Sequence, residues 1–364
     1  MSLKCGIVGL PNVGKSTLFN SLTNMTIPAE NYPFCTIEPN VGVVEVNDSR
    51  LDTIKGIVNP EKVIPAIVEF VDIAGLVKGA SNGEGLGNKF LSNIRETDAI
   101  AHVFRLFDSK NVTHVSGKVD PMTDIDVINT ELIISDLVQC EKLIEKVKNS
   151  NKSQPKSQID KSLSILENIK NNLEKGIFIK NLNFSNDDAA YIKNFNFLTN
   201  KPMMYIANVS EDFFIDKRKM EEVEKFCQNQ NSPLIYICAK LEHEISQLSQ
   251  IEKKEFLLSY GIEKSGLDEF ISAGYNLLGL STFFTAGPKE LKAWTYRSGM
   301  LAPETAGVIH TDFQRGFIRA EVISYEDFVK FKGETGSKNN GKMRIEGKDY
   351  VVQDGDIIFF RFNV

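Results

Sequence analysis

Residues Gly9-Leu-Pro-Asn-Val-Gly14-Lys15-Ser16 have the spacing G-x-x-x-x-G-K-[ST], and the rest of the chain is best read outward from them. Glycines let a loop wrap a phosphate without Cβ clashes. The loop amides and the N-terminus of a following helix then point at the anion. Such a loop needs a strand before it and a helix after it. Leu3 to Gly9 is a short, mostly apolar run, and Ser16 to Asn24 carries Leu18, Phe19 and Leu22 at helical spacing. In this setting Lys15 reaches the β- and γ-phosphates, and Ser16 offers its hydroxyl to Mg2+.

Two later elements reinforce the phosphate site. Asp72-Ile-Ala-Gly75 follows an apolar run ending at Val71. Its carboxylate is placed to hold the metal through water, and Gly75 to present its N–H to a γ-phosphate. Thr36 lies between the loop and that strand, where a hydroxyl completes Mg2+ coordination around a triphosphate; an exposed loop threonine fits the same spacing. The base side departs from the guanine pattern Asn-Lys-x-Asp. The corresponding stretch is Asn208-Val209-Ser210-Glu211, which lacks the lysine and has Glu for Asp. Without the Asp that accepts from guanine N1 and N2, one reason for guanine preference is gone. Cys238-Ala239-Lys240 follows the next strand and suits a loop beside the base.

Val41–Val46, Ala66–Val71, Ile100–Phe104, Met203–Asn208 and Leu234–Cys238 read as further strands. Separated by helical segments, they predict an α/β domain with a largely parallel sheet. From Asp126 to Gly176 the rhythm changes. Ile133, Leu137, Cys140, Ile144 and Val147, then Ile159, Leu163, Leu166, Ile169 and Leu173, recur at spacings of three and four around the polar link Ser150–Ser157. This predicts an antiparallel coiled-coil hairpin, with two amphipathic helices lying on the sheet as the alternative. After about residue 278, short β-rich pieces (Thr282–Thr285, Gly316–Val322, Ile357–Phe362) alternate with turns such as Gly333–Gly341, as in a small α+β module. The expected division is a nucleotide-binding domain of residues 1–125 and 200–278, a helical insertion of 126–199 and a C-terminal domain of 279–364.

Composition is that of a globular chain, with 42% hydrophobic and 25% charged residues in 364. This excludes a disordered, collagenous or disulfide-stapled class. The net charge of −6 gives no global basic field, which argues against a DNA binder. Residues 280–364 carry 12 Lys+Arg against 11 Asp+Glu, a less acidic balance than elsewhere and the one hint of an RNA-facing surface. Cys5, Cys35, Cys140, Cys227 and Cys238 form no CxxC pair, so neither a zinc site nor a disulfide framework is indicated. Apolar runs fall short of the ~20 residues a membrane span needs, and no signal peptide precedes Pro11; the expected location is cytoplasmic.

Gly9 to Thr17, Tyr32-Pro-Phe-Cys-Thr-Ile-Glu-Pro-Asn40, Asp72-Ile-Ala-Gly-Leu-Val-Lys-Gly-Ala-Ser81 and Asn208–Glu211 together resemble the Obg-like ATPase (YchF) family. The resemblance spans essentially the whole chain. In the C-terminal part Phe284–Thr285, Lys292–Trp294, His310–Phe313, Gly316–Ala320 and Asp354–Phe360 are similar to that family's TGS domain. The resemblance implies a P-loop NTPase fold of Ras-like type, with a helical insertion and a ubiquitin-like TGS domain. It also implies preference for ATP over GTP and association with the ribosome and its RNA in translation or stress regulation. It assigns Asn12, Val13, Gly14, Lys15, Ser16 and Thr17 to the phosphates. Ser16 and Thr36 fall to Mg2+, and Asn208 and Val209 to the adenine, with the backbone of Cys238, Ala239 and Lys240 nearby.

Hydrolysis by such a site needs positioning and charge stabilisation more than covalent chemistry. In Ras-like proteins a glutamine after D-x-x-G orients the water; here that position is Leu76. Turnover is then slow, or another group acts. His114, in Asn111-Val-Thr-His114, is one candidate, and a structural surface histidine is the plain alternative. Asn12 stands where potassium-activated P-loop proteins place an asparagine ligand, so K+ is a second candidate cation. A GTPase of the same architecture, and an RNA- or ribosome-binding module with nucleotide as a structural ligand, are the competing readings.

Overall fold

The computed structural model describes residues 3–24, 40–73, 86–107, 120–149, 155–210, 220–259 and 264–363. The readings placed on Thr36, Gly75, Leu76, His114 and Glu211 lie outside the described residues. The described residues divide into two compact units, one drawn from residues 3–24, 40–42 and 69–270, the other from 43–68 and 271–363.

In chain order the elements begin with β1 (Lys4–Val8), α1 (Lys15–Thr23), β2 (Val41–Glu45), α2 (Ser49–Val58), β3 (Lys62–Ile64) and β4 (Ile67–Asp72). Then come α3 (Leu86–Arg95), β5 (Ala99–Arg105), α4 (Pro121–Asn149), α5 (Lys156–Leu173), α6 (Asn186–Lys193) and β6 (Met203–Asn208). They are followed by α7 (Glu221–Asn229), β7 (Leu234–Ile237), α8 (Ala239–Ile245), α9 (Gln250–Ser259) and α10 (Gly266–Leu277). The first sheet runs β2-β4-β1-β5-β6-β7, and its β4-β1-β5-β6-β7 pairs are parallel. Parallel strands are covered on both faces, and β5 and β6 accordingly are buried at every residue. The open crossover order puts the carboxyl ends of β1, β4, β6 and β7 along one edge, where doubly wound sheets take their ligands.

α4 and α5 pack as the heptad-like pattern predicts. Cys140 and Ile144 meet Leu166, Ile169 and Leu173, with Ile133, Leu137, Val147 and Leu163 packed against them. Lys170 of α5 bridges to Glu141 of α4 at 2.8 Å. Ile179, Ile192 and Phe197, from the segment that returns to β6, join the same cluster.

The second unit continues with β8 (Leu280–Ala286), β9 (Glu290–Arg297), α11 (Ala302–Ile309), α12 (Thr311–Arg315), β10 (Phe317–Ile323), α13 (Tyr325–Lys330), α14 (Glu334–Asn339), β11 (Arg344–Glu346) and β12 (Ile357–Phe362). Its sheet order is β11-β10-β12-β8-β9-β3, around a core of Phe283, Tyr296, Phe317, Val322, Val352 and Ile358. The stretch Gly333–Gly341, expected as a turn, holds the short helix α14. Its Ser337 hydroxyl back-bonds to Gly333 O at 2.9 Å, so flanking glycines end the helix rather than preventing it.

The last strand of this sheet is β3, which pairs parallel with β9 (Lys62 to Glu290, Ile64 to Lys292). Arg50 fixes the same segment. Its guanidinium meets Asp48 at 2.7 Å and Asp354 at 2.6 Å and lies 5.5 Å from the Phe284 ring centroid. Arg50→Ala is expected to lower the stability of this unit by about 2 kcal/mol, since two carboxylates lose one partly buried partner. Arg50→Lys should not rescue it, because an ammonium cannot form both forks and stack. The single tryptophan, Trp294, lies in this unit, so urea unfolding followed by its fluorescence reads the effect directly.

Candidate nucleotide site

Val8 ends β1 and the chain turns at Gly9, where a Cβ would stand 2.3 Å from Val103 O; no side chain fits so close to β5. Asn12 takes a left-handed conformation (φ 64°), and Val13 is fully buried and anchors the loop. Gly14, at φ 100°, caps α1 with no side-chain hydrogen bond. The first amides of α1 are thus left to a ligand rather than to a capping side chain. Ser16 and Thr17 are exposed at this end of the helix.

Lys15 is buried, and its Nζ donates to Leu10 O at 2.9 Å. Burial lowers its pKa to about 8, opposed by the negative charge of Asp72. Asp72, at the end of β4, has its carboxyl raised by burial and lowered in turn by Lys15. Its Oδ1 is buried without a hydrogen-bond partner among the described residues. An acceptor left unmet there suits a metal-bound water, so Asp72 and the exposed Ser16 fit a hard, oxygen-preferring cation such as Mg2+.

Asn208 joins the two halves of the site. Its Nδ2 donates to Val13 O at 2.8 Å, and its Oδ1 accepts from Ala239 N at 3.1 Å. The amide is engaged on both sides, so it acts by holding the phosphate loop and the N-terminus of α8 in register; Ala239 and Lys240, expected in a loop, open that helix behind the cap residue Cys238. Val209 and Cys238 are buried, which leaves backbone as what they can offer a base. Lys240 is exposed, with Glu244 4.0 Å away. Sequence reading did not single out Glu242. It is buried one turn further along α8, where its Oε1 accepts from Gly266 N at 2.7 Å and ties α8 to the start of α10. Nor did it find His102, fully buried in the middle of β5. The available signal was one imidazole inside the otherwise apolar run Ala99–Phe104.

A glycine-lined loop on an α/β sheet, a buried lysine at a helix N-terminus and a strand-end aspartate define a P-loop nucleotide-binding protein of the Ras-like class. A family model described as 50S ribosome-binding GTPase matches residues 4–159. A second, YchF-GTPase_C, described as a protein of unknown function (DUF933), matches residues 280–363. The ribosome-binding ATPase YchF of Haemophilus ducreyi is 56% identical over 364 residues, and that of Bacillus subtilis 53% over 367, each covering all of both chains. The solved Schizosaccharomyces pombe YchF GTPase superposes with a TM-score of 0.89 at 36% identity, covering 99% of this chain and 98% of that one. The chain belongs to the YchF family.

Proposed function

We propose that the chain is an ATP-hydrolysing switch that works on the ribosome. The observation that carries this is the Asn208 bracket, which ties a phosphate loop to the N-terminus of α8 in a chain whose bacterial relatives are named ribosome-binding ATPases. On ATP binding, Lys15 exchanges Leu10 O for phosphate oxygens, and the amides of residues 13–17 face the β-phosphate. Ser16, Thr36 and Asp72 are the residues that would hold Mg2+, which would supply charge neutralisation on the phosphates. Gly75 is assigned to the γ-phosphate, His114 to the attacking water, and Asn12 to K+ as a second cation. ADP, the product, is the second ligand assigned to the same loop. The helical insertion (126–199) and the C-terminal domain (279–364) are the surfaces assigned to the ribosome and its RNA. That partner places the protein in the cytoplasm. No helix of the described residues is long and apolar enough to cross a membrane.

ATP is the first reading because the family resemblance implies it and because Asn208–Glu211 lacks the Asp that accepts the guanine donors, which removes one reason for guanine preference. The S. pombe relative is titled a GTPase, so GTP is the second reading. Competition of ATP, ADP, GTP and GDP with Mg2+, then ribosome co-sedimentation in each state, decides between them. Equal affinities for ATP and GTP would sink the preference, and no ribosome association in any state would sink the partner.

Lys15 gives a pH signature. Its ammonium titrates near pH 8 in the free protein, and a bound triphosphate raises that value. Between the two values binding must take up protons, about half a proton per site at pH 8 and near none at pH 6.5 from this lysine. Calorimetry in buffers of different ionisation enthalpy measures the uptake, and a Lys15→Ala control should lose it.

A further inference from the structure

His102 is fully buried on β5, and neither ring nitrogen has a hydrogen-bond partner among the described residues. Burial, helped by the nearby Lys15 charge, pushes its pKa down to about 3, so the ring is neutral. A neutral imidazole carries one N–H and one lone pair, and leaving both unmet in the core is costly. An aliphatic side chain would fill the space without that cost, so packing does not account for a histidine here.

The surroundings share the anomaly. In register, His102 lies beside Val8, the residue before Gly9, on one side and Tyr205 of β6 on the other. The His102 and Tyr205 rings stand 5.5 Å apart between centroids. Tyr205 is fully buried, and its hydroxyl makes no well-aligned hydrogen bond among the described residues, the Asn129 side chain being its polar neighbour. Asn129 of α4 sits against that hydroxyl, and its own side-chain oxygen has no hydrogen-bond partner among the described residues. Three under-bonded polar side chains thus run from beside the phosphate-loop strand to the first arm of the hairpin. On the same helix Ile125, Ile128 and Leu132 are wholly buried.

We propose that His102 is a positioning residue: with Tyr205 and Asn129 it forms a polar seam through which occupation of the phosphate loop sets the packing of α4. The claim rests on the nucleotide reading of the site. Its physical cause is the change in what His102 faces. A triphosphate screens the Lys15 ammonium and draws it away from Leu10 O, altering the field along the seam. Groups that are not committed to fixed hydrogen bonds can exchange partners where close-packed hydrocarbon resists displacement. The coupling is a free energy and is therefore reciprocal: a restraint on α4 changes nucleotide affinity by the same factor.

The test is hydrogen exchange by mass spectrometry on the full chain, without nucleotide, with Mg·ADP, and with Mg2+ and a non-hydrolysable ATP analogue. Peptides from the first half of α4 should exchange about threefold or more slowly with the analogue than without it. Tyr205→Phe, which removes one oxygen, and His102→Phe should abolish that difference. Phosphate-loop peptides should stay protected and analogue affinity should remain within about threefold. His102→Gln, which keeps a donor and an acceptor, should retain part of the α4 response. Should His102→Phe fail to fold, Tyr205→Phe carries the test. An α4 response unchanged in Tyr205→Phe overturns the proposal, as does none in the wild type while its phosphate loop is protected. A wild-type phosphate loop that nucleotide does not protect overturns the nucleotide reading itself, and the proposal with it.

Discussion

Gly14→Ala is expected to cost the protein its nucleotide, with affinity falling by roughly 100-fold or more. Gly14 sits at φ 100°, a region that costs an L-residue about 1–2 kcal/mol. A Cβ there would stand 2.1 Å from Asn208 Nδ2, far inside contact distance. Asn208 must therefore swing away. It then gives up both its bond to Val13 O and the one it accepts from Ala239 N, each worth about 1 kcal/mol net. The total is about 3–4 kcal/mol, and 1.4 kcal/mol is a factor of ten. The loss falls on binding because it strikes the phosphate loop and the N-terminus of α8 together. Asn208→Ala removes the bonds without the backbone strain and should cost about tenfold to thirtyfold. Fluorescent-nucleotide titration beside a melting curve separates binding from folding. An alanine variant at Gly14 that binds within tenfold of wild type would show that the bracket is dispensable.

The phosphate loop, the strands behind it and the two arms of the hairpin were legible because each is announced locally. A glycine-lysine spacing, a β-branched run or a three-four repeat needs no knowledge of the partner. What escaped reading depends on groups far apart in sequence. Lys62-Val-Ile64 is too short to advertise a strand, and its partner Glu290–Lys292 lies more than two hundred residues on. Arg50 looks like an ordinary surface cation until Asp354 comes to it. Asn208 could be placed at the site from its motif. Val13 and Ala239 were named from their motifs as well, but that Asn208 bonds to both of them was not readable. His102 was visible as an oddity in an apolar run, but only the register against Val8 and Tyr205 gives the oddity a location.

Asp136→Ala should be the most destabilising single change in the helical arm, by about 3–5 kcal/mol. In the sequence Asp136 is one more acid on a helix that carries several. In the fold it is wholly buried. One carboxylate oxygen accepts from Leu198 N at 2.9 Å; the other accepts from Thr199 N at 2.7 Å and from the Thr199 hydroxyl at 2.8 Å. Arg95 stands 4.0 Å away, held by Ser135, Gln139 and Asn196 O. Alanine would strand three donors and leave the Arg95 charge with one fewer partner. Asp136→Asn should cost about half as much. Its oxygen still accepts from Leu198 N and its NH2 can donate to the Thr199 hydroxyl, but Thr199 N is left facing a donor. Residues 198–199 lead through Lys201, whose Nζ donates to Arg95 O at 3.1 Å, into β6 and so to Asn208. Part of the loss should therefore appear as weaker nucleotide binding. Urea unfolding by circular dichroism, with exchange rates for residues 197–208, measures both effects. Stability within 1 kcal/mol of wild type would mean that the turn before β6 stands without its carboxylate.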